Sequence, residues 1–175
     1  MKFLAIVVTA ALIPFAARAE SAVDPVNRIM DVAKARWEST ESPTGDYFEN
    51  LDRDFSTRFA AVYREAQKFP AYDGSDYPFD YDVITSSQDG CPLKDLTVSP
   101  QGETDGVSVV AVRFRLWTCA PDAESQAKVN ELRFDIVMED GKPVISDIHR
   151  LTEGNWDTLV GEMEQNVEYG KKAQQ

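Results

Sequence analysis

With 175 residues, 30 of them Asp or Glu against 18 Lys or Arg, the chain carries a formal charge of −12 at pH 7. A balance this acidic is repelled by nucleic acid and by anionic membrane surfaces, so neither is expected as a partner. Serine-nucleophile motifs, zinc spacings and glycine-rich phosphate loops are absent from the sequence, and no cofactor is expected.

Residues 1–19 read as a cleaved export signal. Lys2 precedes an apolar run over residues 3–17, and Ala17-Arg18-Ala19 supplies the small residues a signal peptidase needs. The run is shorter than a bilayer-spanning helix requires. Residues 20–175 are therefore expected to form a single α+β domain without a membrane anchor, in the periplasm or secreted. Losing Lys2 and Arg18 makes this mature form more acidic still. In an oxidising compartment Cys91 and Cys119 are expected to pair. The closed loop of about 28 residues is worth roughly 3–4 kcal/mol by the chain-entropy argument.

Asp24 caps and Pro25 opens a first predicted helix, whose apolar positions Val26, Ile29, Met30, Ala33 and Trp37 recur at helical spacing. A second helix is predicted from Asp46, with Phe48, Leu51, Phe55, Phe59 and Val62 on one face, ending before Pro70. The period then changes to two. The segment FDYDVIT predicts a strand with Phe79, Tyr81 and Val83 on one side and Asp80, Asp82 and Ile84 on the other. Further strands are predicted at 93–99, 107–119, 128–139 and 144–151, with turns at 101–106, 121–125 and Asp140-Gly141. Val110, Val112, Phe114 and Leu116 share one face, as do Leu132, Phe134, Ile136 and Met138. A last helix is predicted from Trp156, carrying Leu159, Val160, Met163 and Val167 on its apolar face and stopping at Gly170. This is an α+β layout, with helices on one side of a curved antiparallel sheet.

The layout resembles the nuclear-transport-factor-two-like (SnoaL-like) cone fold, in which N-terminal helices close the concave face of a strongly bent sheet. More narrowly, PFDYDVITSSQD and EDGKPVISDI resemble segments of a family of short exported bacterial proteins of unknown function. Those proteins carry an Asp-rich strand entry, a Gln-Asp turn and a closing hairpin of the form Asp-Gly-x-x-x-Ile-x-x-Ile. The matching residues here are Asp80, Asp82, Gln88, Asp89, Asp140, Gly141, Ile145 and Ile148. The resemblance implies a fold and no activity, because cone folds include isomerases, dehydratases and non-catalytic binding modules.

Three places offer chemistry. Asp73, Asp76, Asp80, Asp82 and Asp89 could supply oxygen ligands, but their spacing matches no twelve-residue calcium loop. No metal is expected; strand entry and turn, with Asp bonding turn amides, is the expected role. Asp147 and His149 depend on hairpin register. If Glu139 faces Lys142, Leu132 lies opposite His149 and both polar residues enter the pocket, where Tyr81 or Asp82 would line a general base and its orienting partner. One residue more in the turn sets Leu132 opposite Ile148 and turns both outward. Burying them unpaired costs several kcal/mol, so the outward register is expected. Arg113, Arg115 and Trp117 share a face with Glu131, Arg133 and Asp135, as a salt-bridge lattice or as a patch for an anionic ligand. The functional expectation is a non-catalytic exported binding domain for an unknown protein or small hydrophobic ligand. The alternatives are a cone-fold isomerase or hydrolase using Asp147 and His149, and an accessory or immunity-type protein that binds a basic periplasmic partner.

Overall fold

The computed structural model describes residues 20–38, 45–152 and 154–174; the expected export signal lies outside them. Helix α1 (Val23–Glu38) buries Pro25, Val26, Ile29, Met30 and Ala33, the face its spacing indicated. The second predicted helix is in fact two pieces, α2 (Leu51–Asp54) and α3 (Thr57–Ala66), separated by extended backbone at Phe55 and Ser56. Phe55 bridges to Ile145, and the Ser56 N–H donates to the Ile145 carbonyl at 2.8 Å. The Ser56 hydroxyl then accepts from Phe59 N–H and caps α3. Contact with the sheet thus replaces the helical bonds lost at the break.

Strands β1 (Lys94–Thr104), β2 (Val107–Arg115), β3 (Asn130–Glu139), β4 (Lys142–Thr152) and β5 (Asn155–Thr158) pair antiparallel in chain order. A short helix, α4 (Ala123–Ala127), joins β2 to β3, and α5 (Leu159–Ala173) follows β5. The described residues therefore form an α+β fold with five antiparallel strands in one sheet. Val110, Val112 and Phe114 of β2, Leu132, Phe134 and Ile136 of β3, and Ile145 and Ile148 of β4 meet the helices in one core. Each such side chain contributes about 1.5–3 kcal/mol by leaving water. Met138, grouped with them by period, is 61% exposed next to the hairpin turn.

Three expectations are corrected. FDYDVIT is no regular strand: residues 83–86 turn tightly, closed by a bridge between Asp82 and Ser87. The Asp82 carboxylate accepts the Ile84 and Thr85 amides, and this local bonding outcompetes extended backbone. Trp156 lies in β5 rather than in the last helix, which starts at Leu159 under the Thr158 cap. That helix also continues past Gly170. A Cβ at Gly170 would come within 2.1–2.9 Å of Phe69, so glycine here permits close packing instead of ending a helix.

The β3–β4 hairpin follows neither simple register. Glu139 faces Lys142 and Ile136 faces Ile145, as a two-residue turn requires, but Ser146 then bulges. Beyond the bulge Phe134 faces Ile148, Asp135 faces Asp147 and Arg133 faces His149. The extra residue returns Ile148 to the core and leaves His149 on the opposite face. The outward placement is reached through a bulge, not a longer turn.

Candidate functional site

A cleft of about 670 Å³ lies between the C-terminal end of α1 and the segment 72–90. Trp37, Tyr72, Tyr77, Phe79 and Tyr81 supply its aromatic walls, and Asp80, Gln88 and Asp89 its polar rim. The structure thus gathers the predicted turn motif and Tyr81 around one opening. Asp82 forms part of its floor, with a side chain only 8% exposed. Its Oδ1 accepts from the Ile84 amide (3.1 Å), the Thr85 amide (3.0 Å) and the Thr85 hydroxyl (3.2 Å). Its Oδ2 accepts from the Tyr47 hydroxyl (2.7 Å), Trp37 Nε1 (3.3 Å) and Arg36 Nε (3.4 Å). With three donors on each oxygen, no lone pair is left for a substrate proton. Asp82 ties α1 to the loop. Arg36, itself part of the cleft lining, donates also to the Gly45 carbonyl at 2.7 Å and lies over the Tyr47 ring.

Burial, then the charge of Asp82, pushes the Tyr47 phenol far above its ordinary value; burial, then Tyr63, does the same for Tyr77. In the unfolded chain both ionise near pH 10. Above that pH the unfolded chain binds fewer protons than the folded one, so stability falls as pH rises. These groups leave stability unchanged up to about pH 9, and the loss approaches about 1.4 kcal/mol per pH unit each only above about pH 10. Urea unfolding measured from about pH 8 to 11.5 checks this, and a level profile above pH 10 contradicts it.

The far wall of the cleft is held covalently. Gln88 Nε2 donates to the Asp80 carbonyl at 3.0 Å, and the Ser87 hydroxyl to the Asp89 carbonyl at 2.7 Å. Gly90 sits so close to Leu116 and Trp37 that a Cβ would approach them to 2.7–3.0 Å. Next in the chain, Cys91 is disulfide-bonded to Cys119 with a Cα–Cα distance of 5.8 Å, and its N–H donates to the Leu116 carbonyl. Replacing both cysteines by serine is expected to cost roughly 3 kcal/mol. A urea midpoint unchanged by Cys91→Ser/Cys119→Ser would show that the bridge constrains nothing.

A second polar cluster backs the cleft. Arg150, two residues beyond Ile148 on β4, is 3% exposed. It donates to Asp157 Oδ1 (2.9 Å), the Tyr81 hydroxyl (2.5 Å) and Glu162 Oε2 (2.5 Å), while the Tyr81 hydroxyl donates to the same Glu162 oxygen at 2.6 Å. Burial opposes the charge of Arg150, but the bond to Asp157, then Tyr81 and Glu162, outweighs it and keeps the guanidinium protonated. Burial also raises the Tyr81 phenol. Tyr81 therefore presents its ring to the cleft and its hydroxyl to Arg150.

The remaining predicted residues lie elsewhere. Asp147 Oδ1 accepts the Ile148 amide at 2.8 Å and the Val160 amide at 3.1 Å, anchoring the start of α5. His149 Nε2 lies 2.9 Å from Asp135 Oδ2, so the carboxylate beside the imidazole is Asp135, not Asp147. Arg113 pairs with Glu131 at 3.6 Å and Arg115 with Asp95. Trp117 borders a different cleft beside Arg150, and the tryptophan that stacks with an arginine is Trp156, under Arg133 at 4.0 Å. Among the described residues no group of three His, Cys, Asp or Glu is arranged to hold a metal ion, and no helix is long and apolar enough to cross a membrane. Compared with protein-family models, curated proteins and solved structures, the chain matches none.

Sequence reasoning missed Arg36, Trp37 and Tyr47 as partners of Asp82, and Arg150 and Glu162 as partners of Tyr81. One signal for Arg150 was legible. It is in phase with Ile148 on an alternating strand, and a charge at a core position requires partners.

Proposed function

We propose that the chain is an exported, non-catalytic binding domain whose ligand, a protein segment or small hydrophobic molecule, occupies the cleft between α1 and segment 72–90. The observation that carries this reading is the saturation of Asp82, whose two oxygens are taken by six donors. A general base must offer a lone pair within reach of its substrate. What remains open to a ligand is a mixed lining, with Trp37, Tyr72, Tyr77 and Tyr81 beside Arg36, Asp80, Gln88 and Asp89, and polar groups among aromatic ones can orient a bound molecule. The Cys91–Cys119 bridge favours an oxidising compartment, periplasmic or extracellular. Helices on one face of an antiparallel sheet favour the cone type of fold, and with it kinship to the short exported bacterial proteins that the Asp80–Asp89 and Asp140–Ile148 motifs resemble.

Titration of small neutral fragments into ¹⁵N-labelled protein tests the reading. The expected result is saturable shifts at the Trp37 indole and the Gln88 and Gly90 amides, with every bound fragment recovered unchanged. Conversion of a bound fragment, or shifts confined to other surfaces, overturns it.

A further inference from the structure

We infer that the cleft receives a lysine or arginine side chain carried on an extended segment of a partner protein, an inference that rests on the cleft being the ligand site. Three observations point there. Trp37, Tyr72 and Tyr77 are among the lining residues, and an aromatic ring attracts a cation held within about 6 Å of its centre. At the rim, Asp80 and Asp89 are exposed, and among the described residues neither is in an ion pair. Arg36 also lines the cleft, but its guanidinium is held by Asp82, the Gly45 carbonyl and the Tyr47 ring rather than by either rim carboxylate, and Arg150 covers the Tyr81 ring within the cluster behind the cleft. A ligand entering the cleft therefore meets aromatic side chains and, at the rim, two carboxylates that no ion pair occupies among the described residues.

The choice of a polypeptide segment over a free small cation follows from the shape of the surface. A second cleft, of about 420 Å³, lies on the other side of Phe79, Asp80 and Tyr81, which line both. Tyr72 is 62% exposed in the first cleft and Tyr169 is 71% exposed in the second. A chain laid across Phe79–Tyr81 would set neighbouring side chains into both openings, whereas a lone alkylammonium fills part of one. The net charge of −12 adds long-range attraction for a basic partner.

The test uses a blocked peptide of alternating lysine and glycine, its glutamate counterpart and n-butylammonium, each titrated at low salt into ¹⁵N-labelled protein. The lysine peptide is expected to shift the Trp37 indole and Gly90 amide saturably, and the glutamate peptide to leave them in place. Asp80→Asn/Asp89→Asn should weaken binding about tenfold, as loss of two carboxylate contacts implies. Asp105→Asn/Asp140→Asn removes the same charge at two hairpin tips outside the cleft, where asparagine tolerates the positive φ, and should weaken it less than about twofold. Equal weakening in the two variants would reduce the effect to diffuse attraction and overturn the inference. Binding of n-butylammonium as tight as that of the peptide would overturn the segment as occupant. Neutral fragments that shift the cleft when the lysine peptide does not would sink the cationic class and leave the binding site standing; silence from both would remove both.

Discussion

Asp82→Ala is expected to destabilise the protein by about 5 kcal/mol, more than any other single substitution in the cleft. The side chain is buried and takes donors from three parts of the chain: α1 through Arg36 and Trp37, the following turn through Tyr47, and the local amides of Ile84 and Thr85. Removing it strands those donors, and a buried donor without an acceptor costs about 1–3 kcal/mol. Tyr47 has the least recourse, being 3% exposed; Arg36 reaches water and loses less. Asp82→Asn preserves shape and one acceptor but aims an amide at three donors, so about half the loss is expected. Urea unfolding at neutral pH gives both values. Amide exchange at Ile84 and Thr85 should accelerate in each variant, because the turn loses its internal acceptor. A loss below about 1 kcal/mol in Asp82→Ala would mean that the turn is held by packing and the disulfide alone.

Arg150→Ala should cost about 4 kcal/mol. The guanidinium is the shared donor for Asp157, Tyr81 and Glu162, and its removal leaves a cavity together with a carboxylate in a half-buried site. Asp157 is 45% exposed and stays hydrated, so the burden falls on Glu162 and the Tyr81 hydroxyl. Replacing the pair is a different matter from breaking it. Arg150→Met/Glu162→Leu fills the space with apolar groups and leaves no unpaired buried charge, only the Tyr81 hydroxyl without its two partners, so about half of the loss should return. Comparing the two variants by urea unfolding separates desolvation from positioning. A double variant no more stable than Arg150→Ala would show that the cluster acts by orienting Tyr81 and α5, and the Tyr81 wall of the cleft should then lose its fragment-induced shifts as well.

Much of this architecture was legible before any coordinates. Spacing placed α1, β2, β3, β4 and most of α5 and chose the greater part of their buried residues, Met138, Trp156 and Arg150 excepted, because a helix or strand exposes its period directly in the order of apolar residues. The failures were local rules overridden by neighbours. Phe55 continues a helical stripe, but the sheet edge at Ile145 offered its segment backbone bonds and the helix broke there. Phe79, Tyr81 and Val83 alternate like a strand, yet Asp82 could satisfy two amides of its own turn and did so. Asp147 and His149 looked like a pair because they are two apart; the Ser146 bulge and the cross-strand Asp135 decided otherwise.

By itself the sequence determined the α+β class, most of the apolar faces, the cysteine pair and the acidic turn between Asp80 and Asp89. Only the tertiary structure decided what those residues do. Asp82 meets Trp37 across 45 positions, and Tyr81 meets Glu162 across 81. Periodicity reports on neighbours within a few residues, whereas the partners that saturate a buried charge are chosen by packing between elements. The acidic stretch therefore became a buried anchor with an open rim, and the imidazole a surface partner of Asp135.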